Sequence, residues 1–420
     1  MMEAKKTVLH DFHSQQGANM ALFGNYDMPL WYSSGTKTEH LRVIHNAGIF
    51  DTSHMAVLTV KGAGARALLQ SCLTKDIDSC IGMKKTPLTE GRCVYGLFLD
   101  SEGLVIDDAI VYNLSEDSYM VVVNAGMGGP IAKHLESQAK DASIQIEDLT
   151  DKVGKMDIQG PDSARVLKKI IKNPDQLFEK MMYFSFKGGF SSCKGSTTVQ
   201  LVDGTDVMVS RTGYTGEFGF ELFCDVEHLV SLWNQILDAG KEYSVIPCGL
   251  AARDSLRAGA VLPLSHQDIG AWPFAHTPWS FAIAEKNEKG EFTKEFHGAK
   301  ALLESGWDKY TLAFAGFDPR KIGAEEANYV TDLDGNKIGK ILTCTTDMAI
   351  GRIDGEIKSI AENKELKIKG LCCGFVLLDK KVEQGDVVLL TDGKRKIKVE
   401  IRTDIRPQRT ARCAMSTMVG

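Results

Sequence analysis

Leu104-Val105-Ile106-Asp107-Asp108-Ala109-Ile110-Val111-Tyr112 is the stretch on which the fold of this 420-residue chain turns. Its β-branched and apolar residues suit a pleated strand, and the turn residues Asp100-Ser101-Glu102-Gly103 and Ser115-Glu116-Asp117-Ser118 bound it. Val94–Leu99 before it and Tyr119–Asn124 after it have the same character. Three strands joined by turns this short form an antiparallel meander, because a parallel pair needs a crossover of a dozen or more residues. The chain is therefore expected to be α+β.

Helical segments flank the meander. The spacing of Leu41, Ile44, His45 and Gly48 predicts a helix over 37–48 that Gly48 ends. A strand over Ala56–Val60 follows. Next comes a helix over 62–72 with Ala65, Leu68, Leu69 and Cys72 on one side, and a further helix spans about 130–140. Gln159-Gly160-Pro161-Asp162-Ser163 breaks strand from helix, with Asp162 or Ser163 as cap for the run Ala164–Ile171. Tyr183 to Glu221 reads as strand-rich, Val226–Ala239 as an amphipathic helix, and Leu250–Leu256 as a helix ending near Gly259. Polar residues 285–300 mark a candidate boundary. Beyond about Tyr310, short strands with turns at Asp334-Gly335, Gln384-Gly385 and Asp392-Gly393 suit a small β-barrel or sandwich.

The central strand also carries the first chemistry. In a strand the carboxylates of Asp107 and Asp108 point to opposite faces, Asp108 with Leu104, Ile106, Ile110 and Tyr112. Both faces are apolar, so at least one carboxylate is buried and needs donors, a cation or a ligand, unless a bulge or turn leaves both wet. Arg253, in Pro247-Cys248-Gly249-Leu250-Ala251-Ala252-Arg253-Asp254-Ser255-Leu256-Arg257, either reaches a carboxylate bidentately or pairs locally with Asp254 or Glu221. Val209-Ser210-Arg211-Thr212-Gly213-Tyr214-Thr215-Gly216-Glu217-Phe218-Gly219-Phe220-Glu221-Leu222 crowds three glycines between apolar runs. Such a cluster signals positive φ or a close backbone approach. His54 and His266 could each serve as an acid or base, although a lone histidine between strand residues is more often structural.

Bulk composition narrows the function. Hydrophobic residues are 43%, charged residues 25% and the net charge is −6, which excludes the body as a nucleic-acid binder. Lys394 to Arg412 alone carries +6 and reads as a solvated face, or as a surface for an acidic partner. Ten cysteines without a Cys-x-x-Cys pair read as small buried hydrophobes in a reducing compartment. With no apolar run of membrane-spanning length and no apolar stretch after Met1-Met2-Glu3-Ala4-Lys5-Lys6, the chain is expected to be soluble and cytoplasmic. No metal-ligand spacing, P-loop or dinucleotide fingerprint is present, so no metal or nucleotide cofactor is expected.

The chain resembles the folate-binding aminomethyltransferase family, the T-protein of the glycine cleavage system and its relatives. The matching segments run in order: Gly48-Ile49-Phe50-Asp51-Thr52-Ser53-His54-Met55, Gly103–Tyr112, Val121-Val122-Val123-Asn124-Ala125, Ile158-Gln159-Gly160-Pro161, Arg211–Glu221, Cys248–Arg257 and Gly335-Asn336-Lys337-Ile338-Gly339. The resemblance implies a multi-domain cloverleaf folate-binding region over 1–305, built from two interleaved α+β subdomains. A C-terminal β-barrel follows over 310–412. It implies tetrahydrofolate as co-substrate and a lipoyl-bearing carrier, the H-protein, as partner. The reaction it implies passes a methylene group to the folate and releases ammonia and the reduced lipoyl carrier. The catalytic aspartate maps to Asp108, and the folate contacts map to Glu221 and Arg253, with Tyr112, Asn124 and Tyr214 as neighbours.

Departures cluster on the donor side. Phe23-Gly24-Asn25-Tyr26-Asp27-Met28-Pro29 and Gly270-Ala271-Trp272-Pro273-Phe274-Ala275-His276 differ from the family pattern. They keep a second reading open, a folate-dependent demethylase or methyltransferase taking a methyl group from a small O-, S- or N-methyl compound. In it Trp31, Trp272 and Phe274 line a donor pocket, whereas the alternative for these aromatics is core packing. A third reading is a non-catalytic folate-binding module. Retention of Asp108 favours the aminomethyl reaction, since an iminium-like donor gains most from a carboxylate.

Overall fold

The computed structural model describes residues 4–306 and 308–419. The meander forms as expected, from strands Cys93–Leu99, Val105–Ser115 and Ser118–Val123, and Ala56–Lys61 and Gln145–Asp148 extend it to a five-stranded antiparallel sheet. A six-stranded sheet runs in the order Phe186–Gly188, Met208–Ser210, Gly219–Asp225, Val153–Gln159, Gly48–Asp51 and Ile246–Pro247, with only the last pair parallel. The chain enters this sheet at Gly48, leaves to build the other, and returns at Val153.

Strand alternation dictates the layers. Val57, Cys93, Tyr112, Met120 and Val122 of one sheet meet Phe186, Met208 and Phe223 of the other in a shared cluster. On the outer face of the five-stranded sheet, Val111, Tyr119 and Val121 pack on Leu68, Leu69 and Cys72 of the helix Ala65–Cys72 and on Ile131 and Leu135 of the helix Gly128–Gln138. The outer face of the other sheet packs Ile158, Phe220 and Leu222 on Leu167 and Ile170 of Ser163–Ile170 and on Leu232, Trp233 and Ile236 of Leu229–Gly240. Each such leucine or isoleucine withdrawn from water stabilises the fold by about 1.5–3 kcal/mol.

Tyr310–Gly316, Leu371–Leu378, Lys337–Asp347, Tyr329–Thr331, Val387–Thr391 and Lys396–Ile401 close into a barrel. Helix Leu250–Gly259 lies between barrel and sheets: Ala252 and Leu256 pack with Val43 and Ile44 on one side and Ala349 and Ile360 on the other. A second cluster joins Leu97 and Leu99 to Trp279, Phe296 and Leu302 and on to Ala313, Leu342 and Phe375 of the barrel. Within residues 285–300, the Lys294 ammonium donates to the carbonyls of Gln70 (2.5 Å), Leu73 (2.7 Å) and Lys75 (3.0 Å). The ten cysteines are free, and among the described residues no helix is long and apolar enough to cross a membrane.

Some local expectations change. The first of these helices spans Gly35–His45 with Glu39, His40, Val43 and Ile44 buried, and Gly48 opens a strand instead of ending the helix. A Cβ at Gly48 would lie 2.5 Å from the Cys248 sulfur, so glycine is there for close approach. The 183–221 stretch forms only two three-residue strands before Gly219–Asp225, because its turns and the left-handed Gly188 interrupt the ladder. Asp162 occupies the N-cap position without a capping hydrogen bond; its carboxylate takes Asn46 (3.1 Å) and Arg165 (2.8 Å).

Gly160 shows what the strand-to-helix break requires. Its φ is +126°, and a Cβ would fall 2.6 Å from the Val43 carbonyl oxygen. Gly160→Ala is expected to destabilise the protein by about 2–4 kcal/mol, from backbone strain and overpacking together. Thermal unfolding checks this, and an unchanged midpoint would refute it.

Candidate functional site

A cavity of about 1050 Å³ opens between the two sheets, helix Leu250–Gly259 and the chain that leaves the barrel. The five-stranded sheet supplies one wall. Pairing between the strands Cys93–Leu99 and Val105–Ser115 slips between Phe98 and Leu99, leaving a bulge just before the aspartate pair. Bulges re-aim side chains. Asp107 is nevertheless fully buried, not wet, and Asp108 faces the cavity.

Although the two carboxylates start from opposite faces, one residue reaches both. The Asn124 side-chain amide donates to Asp107 Oδ1 (2.8 Å) and to Asp108 Oδ1, and its backbone N–H donates to Asp107 Oδ2 (2.9 Å). Ser265 adds a hydrogen bond to Asp107 (2.9 Å), and His266 Nε2 stands 3.2 Å from it. The Tyr95 hydroxyl donates to Asp108 Oδ2 (2.7 Å). Burial and then the neighbouring Asp107 charge push the Asp108 carboxyl up to about 6, against the pull of the Tyr95, Asn124 and Ser265 donors. His266 moves up as well, chiefly through its hydrogen bond to Asp107.

The opposite wall is a closed set of charges on one face of the six-stranded sheet. Glu221 accepts from Lys155 Nζ (2.5 Å) and from the Thr212 hydroxyl. Lys155 also donates to Asp157 Oδ1 (3.0 Å), and Asp157 Oδ2 takes Arg253 Nη1 (2.6 Å). Burial opposes the charge on Asp157, but Lys155 and Arg253 outweigh it and hold its carboxyl below the usual range. The Arg253 guanidinium lies 4.9 Å over the Tyr214 ring, and the Tyr214 hydroxyl donates to the Pro263 carbonyl. Arg253 thus pairs with Asp157, and neither local partner expected for it is used.

The glycines of the Arg211–Phe218 loop have two separate causes. Gly216 is left-handed at φ +76°. Gly213 and Gly219 instead leave room for the Gln159 side chain, which donates to the carbonyls of Thr212 and Phe220 (3.3 Å each). Glu217 accepts from Arg406 Nε (3.2 Å) and Thr410 (2.6 Å). Arg406 is completely buried, so the basic tail is not simply a solvated face; two carboxylates draw it inward.

Of the expected site residues, Asp108, Asn124, Tyr214, Glu221 and Arg253 line the cavity. Tyr112 does not: it is fully buried, edge-on to Phe186 and Phe223. Four residues along a strand is about 13 Å, which carries it from the cavity into the closed part of the sandwich. Trp31, Trp272 and Phe274 also lie outside the cavity lining. Trp31 is 37% exposed, Trp272 lies beneath Lys340, and Phe274 stacks on Trp279 in the core.

Several contributors escape sequence reading. Lys155 and Asp157 left one signal, opposite charges two apart in an otherwise apolar strand. His54 lines the cavity in neutral form, held down to about 4 mainly by burial. At the mouth stand Lys75, Arg92 and Arg412, with no carboxylate paired to them among the described residues, and Phe281. Arg92 donates to the carbonyls of Phe184 (2.9 Å) and Tyr183 (3.2 Å), and Arg412 stacks over the Tyr183 ring. The cavity therefore joins a carboxylate able to change protonation near neutrality, a charge-neutral inner wall and a cationic mouth.

Comparison with known proteins gives consistent matches. The family model of the GCVT N-terminal domain matches residues 9–277. The aminomethyltransferase of Caldanaerobacter subterraneus subsp. tengcongensis is 32% identical over 384 residues, 90% of this chain and 95% of that protein. The aminomethyltransferase of Geobacillus thermodenitrificans is 32% identical over 372 residues, 87% of this chain and 94% of that protein. The crystal structure of glycine cleavage system aminomethyltransferase T from Bartonella henselae superposes with a TM-score of 0.73 at 26% identity, covering 95% of this chain and 96% of that one.

Proposed function

The chain belongs to the GCVT family, and we propose that its cavity is where tetrahydrofolate meets an aminomethyl group carried on the lipoyl arm of an H-protein. The chain is an aminomethyltransferase-type one-carbon transferase. The observation that carries the site assignment is Asp108, held by Tyr95 and Asn124 and facing the same cavity as Glu221 and Arg253.

The residues fit the ligand. A cavity of about 1050 Å³ is ample for a folate and the end of a carrier arm. Glu221 is an acceptor suited to the donor edge of a pterin. An anionic glutamyl tail suits the mouth, where Arg92 and Arg412 have no carboxylate salt-bridged to them among the described residues. Arg253, neutralised by Asp157, stiffens the inner wall with Tyr214.

The bound folate supplies the nucleophilic nitrogen. Asp108 orients the N–H of that nitrogen, offers a negative charge where the transferred carbon becomes cationic, and takes up the proton that nitrogen loses. The carbon–sulfur bond breaks with its electron pair on the lipoyl sulfur, which leaves as the thiol, and the second folate nitrogen displaces ammonia. Tyr95 and Asn124 fix its rotamer, and Asp107 keeps its proton affinity near neutrality.

The test is turnover with lipoyl carrier, glycine decarboxylase and tetrahydrofolate, followed as methylenetetrahydrofolate and ammonia. Appearance of both supports the reading. Methyl transfer from a small donor with no carrier-dependent ammonia would overturn it.

A further inference from the structure

Lys155 is buried to 1% exposure, yet it lies in the middle of a sheet. The antiparallel register pairs Glu221 with Asp157 and Phe223 with Lys155, so Lys155, Asp157 and Glu221 emerge on one face of neighbouring strands. The ammonium has three donors and three acceptors: Glu221 Oε1 (2.5 Å), Asp157 Oδ1 (3.0 Å) and Thr52 Oγ1 (3.1 Å). Thr52 in turn donates to Asp157 (3.0 Å), and Asp157 closes on Arg253. Two cations and two carboxylates thus form a neutral, hydrogen-bonded set, of which only Glu221 and Arg253 border the cavity.

We propose that Lys155, with Asp157 behind it, is a positioning residue that holds Glu221 as an ionised, oriented acceptor for the pterin edge and so sets folate affinity. The inference rests on the assignment of Glu221 to the pterin. Both Glu221 oxygens are already engaged from the strand side, by Lys155 and Thr212, so the carboxylate cannot rotate and its remaining lone pairs point at the ligand. Without Lys155 the Glu221 carboxylate keeps only the Thr212 hydroxyl on the strand side and is free to turn away from the ligand. Asp157, freed of one cation, keeps Arg253, so the damage is directed at Glu221.

The experiment is a mutant cycle read by tetrahydrofolate binding, KM and kcat. Lys155→Met is expected to weaken folate binding about 10- to 100-fold near neutral pH, the worth of a charge-assisted hydrogen bond, with a much smaller change in kcat. Glu221→Gln should weaken binding comparably, and the double variant should be no weaker than Glu221→Gln alone. If Lys155→Met does not accumulate folded, Lys155→Gln, which keeps a donor and lacks the charge, is read in its place. Losses that add fully in the double variant, or a loss that falls on kcat rather than on KM, would overturn the role of Lys155. Unaltered binding in Glu221→Gln would instead overturn the assignment of Glu221 on which the inference rests.

Discussion

Replacing Asp108 by asparagine is expected to lower turnover about 10³-fold while tetrahydrofolate still binds. The substitution is nearly isosteric, and the Tyr95 hydroxyl and the Asn124 amide that hold Asp108 can still pair with an amide. What disappears is the negative charge beside the carbon that becomes cationic, together with the carboxylate that takes up the proton there. The charge of Asp107 cannot substitute, because Asn124, Ser265 and His266 engage it on the buried side of the strand.

The pH profile makes the same claim independently. Burial and the Asp107 charge raise the Asp108 carboxyl to about 6, so the working carboxylate is lost as pH falls through that region. Activity of the parent should therefore climb with an apparent value near 6 that belongs to the aspartate pair, and Asp108→Asn should lose this limb. Stopped-flow methylene-folate formation across the range decides it. Retention of turnover within about tenfold, a loss smaller than one general-base contribution, refutes the assignment.

Alternation along Val105–Ser115 was enough to predict two carboxylates on opposite faces, and the structure keeps them so. That one asparagine spans both follows from strand pairing with Ser118–Val123, 16 and 17 residues on, and from the bulge that re-aims the pair. Lys155 was harder to read still, since its partner Glu221 lies 66 residues away and Asp157 meets Arg253 across 96. Local pattern records that a strand carries charges; only the tertiary pairing shows that they cancel. Tyr112 marks the opposite limit. Its face was read correctly, but its distance along the strand decides that it serves the core. The glycines of 213–219 signalled close approach, while the approaching group, Gln159, comes from another strand.

Arg406→Met is expected to remove about 3–5 kcal/mol of stability, the loss typical of breaking a buried ionic set by deleting one partner. Arg406 Nη1 donates to Asp347 Oδ2 (2.6 Å), Nε to Glu217 Oε1 (3.2 Å) and Nη2 to the Thr215 carbonyl, all out of water. One cation thereby ties a barrel carboxylate to the loop that carries Tyr214. Asp347 also meets His40 Nε2 (3.0 Å), and His40 Nδ1 reaches Ser255 (2.7 Å) on helix Leu250–Gly259. Burial opposes the Asp347 charge, yet Arg406 and His40 hold its carboxyl well below the ordinary range. A folded-state value below the unfolded one contributes stability at pH above about 4 and loses it as pH falls further. Arg406→Met leaves Asp347 with His40 and the Ala349 N–H as its remaining partners, so its carboxyl is held down less and the variant loses less stability than the parent as pH falls below about 4. Urea midpoints from pH 7 down to about 3 check both statements, and a variant with the parental midpoint at pH 7, or one that loses as much stability on acidification as the parent, contradicts them. Loss of this anchor frees the loop beneath Tyr214, so folate affinity should fall with stability in Arg406→Met, whereas in Asp108→Asn affinity and turnover separate.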